Sequence, residues 1–228
     1  MLILLIPARP LCASVADLSD NGAPTRDLAA QASQENLHQV SASVLRTEIQ
    51  RETDPARRQE LSRRLVILLV KGGRSTEALS VISTLETTKD PLLTYWKGVA
   101  LLGDGDDASA KSVFESLLQP EPGVAVPGIP RDEIVMGLAR ALRGTGDAAG
   151  ALAVLEKIPP DSPVAFSVLP EKASDLLALG RTAECLKLLQ SYTPPTEEGK
   201  ATATYLKALA KWRSGDAAAA RKLFAQVP

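Results

Sequence analysis

Small and large apolar residues recur along this chain at fixed distances from a glycine. The glycines head five dipeptides, Gly73-Arg74, Gly105-Asp106, Gly146-Asp147, Gly180-Arg181 and Gly215-Asp216. Five residues after each stands a small side chain: Ala78, Ala110, Ala151, Cys185 or Ala220. Nine after each stands a large apolar one: Ile82, Phe114, Leu155, Leu189 or Phe224. Seven before each stands Val66, Gly98, Ala139, Ala173 or Ala208. The glycines are 32, 41, 34 and 35 residues apart. A period near 34 with this pattern predicts helical hairpins stacked in a row. Glycine ends the first helix of each hairpin because it takes the left-handed conformation cheaply. The small residues belong where the two helices cross, since bulk there would push the axes apart. The large residue then fills the space beneath the next hairpin, and burying it is worth roughly 1.5–3 kcal/mol.

These positions resemble the tetratricopeptide repeat (TPR) family. Gly98, Gly105-Asp106, Ala110 and Phe114 form the best single copy, and the sets around Gly146 and Gly215 are good copies too. Asp54-Pro55 and Asp90-Pro91 resemble the proline break at which one unit gives way to the next. The resemblance runs over roughly residues 55–228. It implies an all-α, right-handed superhelical solenoid of stacked antiparallel helix pairs, about five units plus an N-terminal helix. It also implies a role in binding proteins or peptides without catalysis. Two departures stand out. The family's bulky aromatic early in the first helix is mostly missing, with Trp96 and Trp212 out of that register. Pro170 falls inside the expected first helix of the fourth unit, so that helix either starts late, near Pro170, or is kinked there; a late start after a turn at 161–163 is the favoured reading.

The array is expected to begin with a capping helix in residues 33–52. It is amphipathic from about 33 to 51, with Leu37, Val40, Val44, Leu45 and Ile49 on one side and Ala42 at the crossing position. The units lie at about 55–88, 90–119, 131–158, 164–192 and 198–227. A segment over 119–130 with Pro120, Pro122, Pro127 and Pro130 explains the 41-residue spacing and reads as an extended loop. Residues 17–32 read as a linker. Residues 1–16 have two open readings. One is a signal peptide cut near Ser14-Val15-Ala16 whose true start lies upstream of Met1, which places the protein in the periplasm or outside a bacterial cell. The other is a disordered cytoplasmic leader. The hydrophobic stretch is too short to span a bilayer. The chain reaches Val227-Pro228 with no polar capping helix after the fifth unit. That pattern fits a fragment of a longer envelope repeat protein, an end that docks on a partner or on another copy, or a last unit of marginal stability.

Composition narrows the chemistry. Net charge is −1 with no long block of one sign, which argues against nucleic-acid binding driven by bulk charge. His38 is the one histidine, and no spacing of His or Cys suits a metal. Gly103-Asp104-Gly105 and Gly144-Thr145-Gly146 are turns of the repeat rather than phosphate loops. Cys185 stands where the other units have Ala, and reads as a buried hydrophobe. No catalytic residue, cofactor or metal is expected. What remains is recognition on the concave face, lined by first helices. Counting back from each glycine, the candidates for peptide binding are Arg63, Ile67, Tyr95, Met136, Arg140, Arg143, Tyr205, Leu209, Trp212 and Arg213. Aromatic, Met and Arg side chains suit such a surface. The expected mode is burial of apolar anchors, with Arg140, Arg143 and Arg213 pairing a partner's carboxylates. The partner is a protein or peptide, neither nucleic acid nor membrane.

Overall fold

The computed structural model describes residues 38–85, 90–119 and 123–227. The expectations for 1–16, 17–32 and the first turn of the capping helix lie outside these residues. The described residues form eleven helices and one isolated bridge, Val126 with Ile129. Two compact units divide at Leu68/Leu69, inside the second helix.

The first unit contains α1 (His38–Arg51) and most of α2 (Pro55–Lys71). In α1 the buried side is Ser41, Ala42 and Leu45, whereas Val40 is exposed. The expected stripe is therefore rotated. It centres on the small Ser41-Ala42 pair rather than on the β-branched Val40. Glu52 joins the two helices. Its carboxylate accepts the backbone N–H of Thr53 at 2.9 Å and pairs with Arg57 at 2.8 Å. Pro55 opens α2 at the first position, where its missing N–H costs nothing.

The second unit holds the remaining helices in hairpin order. They are α3 (Ser75–Thr84), α4 (Pro91–Asp104), α5 (Asp107–Leu118), α6 (Arg131–Gly144), α7 (Ala148–Leu155), α8 (Ala165–Ala178), α9 (Thr182–Gln190), α10 (Glu197–Arg213) and α11 (Ala217–Phe224). Within this unit α5, α7 and α9 each pack on the first helix before them and on the next one, α3 packs on α4, and α11 packs on α10. First helices also touch in succession, α4 on α6, α6 on α8 and α8 on α10.

The hairpin turn is built the same way five times. Every anchor glycine has positive φ, from 72° to 88°. In each, the glycine N–H returns to the carbonyl three residues back, and the next N–H to the carbonyl five back. At Gly105 these are Gly105 N to Leu102 O (3.3 Å) and Asp106 N to Leu101 O (2.9 Å). The paired bonds satisfy carbonyls that a helix end otherwise leaves open. The residue after the glycine then starts the second helix by one of two routes. Asp106, Asp147 and Asp216 accept the N–H three residues on. Arg74 and Arg181 form two-pronged pairs with Glu77 and Glu184 instead, at 2.5–2.7 Å. Asp and Arg are interchangeable after the glycine because an Asp cap and an Arg–Glu clasp three residues apart brace the same turn.

The crossing positions are fully buried throughout: Ala78, Ala110, Ala151, Cys185 and Ala220 after the glycine, Val66, Ala139, Ala173 and Ala208 before it. Gly98 shows why they are small. A Cβ there would lie 2.8 Å from the Phe114 ring. Phe114, Leu155 and Leu189 fill the space beneath the next hairpin with no exposure. Phe224 does not, and remains 37% exposed. Nothing in the described residues lies over it.

Two further expectations are corrected. The loop between the second and third units is not merely extended. Val124 N–H bonds Leu117 O at 2.7 Å, the chain turns at Gly128, and Val126 is buried in the core beside Ile134 and Leu118. And α8 does not start late. It begins at Ala165, with Pro170 inside it. Pro170 has no N–H to give the Phe166 carbonyl. Tyr192 supplies the donor instead, its hydroxyl 3.0 Å from Phe166 O. The proline is tolerated because a side chain from after α9 takes over the lost bond. Tyr192→Phe should cost about 0.5–1.5 kcal/mol, the net worth of an ordinary hydrogen bond. In a Pro170→Ala background, whose new N–H can serve Phe166 O, the same change should cost much less. Urea melts of the four proteins measure the difference.

Candidate functional site

The ten candidate residues separate into three groups once their surroundings are seen. Tyr95 and Met136 are interior, each 5% exposed. Tyr95 donates its hydroxyl to Glu133 Oε1 at 2.8 Å, and its ring meets Phe114 edge-on at 6.2 Å. Burial, then the bond to the Glu133 carboxylate, raises the phenol well above its ordinary value. These two side chains are not offered to a peptide. They lie under the following hairpin, because the position ten before the glycine faces the next first helix.

The arginines form the second group. Arg140 Nε reaches Glu171 Oε1 at 2.6 Å, and Arg143 Nη2 reaches Glu171 Oε2 at 2.6 Å. Arg143 also donates Nε–H to Asp175 Oδ1. The carboxylates expected from a partner are instead supplied by α8 of the same array. Arg213 donates to the Leu177 carbonyl near the end of α8, where a cation suits the negative helix terminus. Successive first helices are thus tied by polar struts: Tyr95–Glu133, Arg140 and Arg143 with Glu171 and Asp175, and Arg213–Leu177. Arg63 pairs with Glu60 at 3.1 Å, and Ile67 on the same helix α2 is half-buried.

Asp175 is the unusual member. Its side chain has no exposure, and Oδ2 has no hydrogen-bond partner. Burial raises its carboxyl above the ordinary value, the Glu171 charge adding to it and Arg143 opposing it. Burial pushes Glu171 up as well, but the Arg140 and Arg143 guanidinium groups outweigh it and hold Glu171 below its usual value. The Cys185 thiol is buried and raised by that burial alone. It packs at the crossing point that alanine fills in the other hairpins, with no exposure.

The third group is on α10. Tyr205, Leu209 and Trp212 succeed one another at helical spacing. Tyr205 is 46% exposed, Trp212 60%, and Leu209 half-buried. Phe224 from α11 joins them, its ring 5.9 Å from Tyr205 in an edge-on pair at 64°. Phe224 was not among the expected binding residues, because the repeat pattern assigns its position to the core. Its exposure depends on whether another hairpin stacks over it, which the pattern inside one unit does not encode.

Among the described residues no cluster of His, Cys, Asp or Glu is arranged to hold a metal, and no helix is long and apolar enough to cross a membrane.

The arrangement is that of a TPR-like helical repeat array. Residues 135–157, most of α6 with α7, match the tetratricopeptide repeat family. Two crystal structures have the same fold. Both are of a Podosopora anserina protein described as a putative kinesin light chain with nearly identical TPR-like repeats, one of them a single-substitution variant. Each is 18% identical and covers 77% of this chain and 95% of its own. Their TM-scores are 0.56 and 0.57. No curated protein matches the chain in sequence.

Proposed function

We propose that this chain is a non-catalytic scaffold that binds another protein through the exposed side chains of its last hairpin. Tetratricopeptide repeats generally mediate protein–protein interaction. The observation that favours this surface is the set Tyr205, Leu209, Trp212 and Phe224. Tyr95 and Phe114, at the same repeat positions as Tyr205 and Phe224, are covered in the interior, yet Tyr205 and Phe224 face solvent. Aromatic anchors on a rigid helix lose little conformational entropy on binding, which is why they dominate interface energetics. Arg140 and Arg143 are bound to Glu171 and Asp175, so the anchor site lies on α10 and α11 rather than at the middle of the concave face. Export from the cell, expected from residues 1–16, remains part of the proposal and rests on the sequence of that leader.

The test is crosslinking and affinity capture from the native cell with the full chain. Tyr205→Ala with Trp212→Ala is expected to lose at least one partner that the unaltered chain retains. Retention of every partner would refute this binding surface.

A further inference from the structure

The interior of the array shows what covers a pair like Tyr205 and Phe224. Tyr95 and Phe114 hold the corresponding positions three hairpins earlier. Their rings meet at 6.2 Å and 65°, against 5.9 Å and 64° for Tyr205 and Phe224. The first pair is covered by α6, which meets it with two residues one helical turn apart. Gly137 lies against the far edge of the Phe114 ring, so close that a Cβ would come within 2.6 Å of it. Glu133 accepts the Tyr95 hydroxyl at 2.8 Å. The same polarity recurs at the next step, where α8 brings Glu171 and Asp175 to the arginines of α6. At these two contacts the later helix supplies acid to donors on the earlier one, whereas at the third Arg213 of α10 donates back to the Leu177 carbonyl of α8.

The last hairpin presents this aromatic pair uncovered among the described residues. Its charge also suits an acidic helix: residues 197–227 contain six Lys or Arg and three Asp or Glu. We infer that the α10–α11 face binds an acidic amphipathic helix of a partner protein, seated as α6 is seated on α4 and α5. Such a helix carries Glu one turn before Gly or another small residue, so that the small residue meets Phe224 and the carboxylate meets the Tyr205 hydroxyl. A second copy of this chain fits poorly. The copy's own α6 is buried in its array, α2 is rich in arginine, and two basic C-terminal hairpins repel. The inference rests on the binding surface proposed above and adds the chemistry of its occupant.

The probe is a dye-labelled, helix-stabilised peptide with the sequence of residues 130–145, made acidic by Arg140→Glu and Arg143→Glu. It is titrated with the full chain by fluorescence anisotropy. Saturable binding is expected. Tyr205→Ala with Phe224→Ala should weaken it at least about tenfold, and Tyr205→Phe, which removes only the hydroxyl, should weaken it several-fold. Peptides that also carry Gly137→Leu or Glu133→Lys should bind at least about tenfold more weakly to the unaltered chain. Binding that survives the double substitution, or equal binding of the Gly137→Leu peptide, overturns the inference, as does no binding at millimolar peptide. Dimerisation of the chain alone, lost on Tyr205→Ala with Phe224→Ala, overturns it in favour of a second copy. If partners captured from cells depend on Tyr205 and Trp212 while the peptide does not bind, the docking surface stands and the helix chemistry falls.

Discussion

Phe114→Ala is expected to lower the free energy of unfolding by about 3–5 kcal/mol, the range for removing a buried aromatic whose cavity cannot collapse. Collapse is prevented on both sides. Gly98 from the same hairpin and Gly137 from the next approach the ring as backbone, with no side chain to move into the gap. The reciprocal change should also destabilise. Gly137→Ala puts a methyl 2.6 Å from the ring edge, so ring or helix must shift, at about 1–3 kcal/mol. A Phe114→Leu background leaves room for that methyl and should recover part of the loss. Urea unfolding of the single and double variants measures the coupling. Additive costs would mean that ring and glycine do not constrain one another.

Asp175→Ala should cost about 3 kcal/mol, the lower end for breaking a buried ion pair, since Arg143 keeps Glu171. Asp175→Asn should cost no more than about 1 kcal/mol. Its amide oxygen can still accept from Arg143 Nε, and the unpaired Oδ2 charge is gone. The pH dependence separates the two acids by sign. Asp175 has a folded pKa above its ordinary 3.8, so its folded state binds the proton more tightly. Its contribution to stability therefore rises as pH falls from the raised value toward 3.8. Glu171 has a folded pKa below its ordinary 4.5. Its contribution is fully present above 4.5 and is lost as pH falls through the lowered value. Subtracting the stability profile of Asp175→Asn from that of the unaltered chain should give the first slope, and that of Glu171→Gln the second. Two slopes of the same sign would contradict this assignment.

Much of the fold was legible because its determinants are local. A glycine at a left-handed position, an Asp or Arg after it, and small residues five after and seven before define a hairpin by helix geometry alone. All five anchors behave this way. Cys185 could be assigned to packing for the same reason, since its place in the period is a crossing point. Pro170 misled because the usual cost of a mid-helix proline assumes that the orphaned carbonyl stays unpaired. The donor, Tyr192, is distant in sequence and has no pattern to announce it.

The candidate site was less legible. Periodicity names the residues that point away from a hairpin's own core, but such residues face either solvent or the next hairpin. Tyr95 and Tyr205 are equivalent in sequence, yet one is sealed beneath α6 and the other is open. Arg140 and Arg143 read as cations awaiting a partner because Glu171 and Asp175, their carboxylates, are about thirty residues away. The sequence by itself determined the repeat, the turn at each anchor glycine and the small-residue crossings, since these depend on contacts inside one hairpin. Only the tertiary structure decided which aromatic side chains are covered and which charges are paired. Those outcomes depend on what stacks against each hairpin, and stacking joins residues that no local pattern connects.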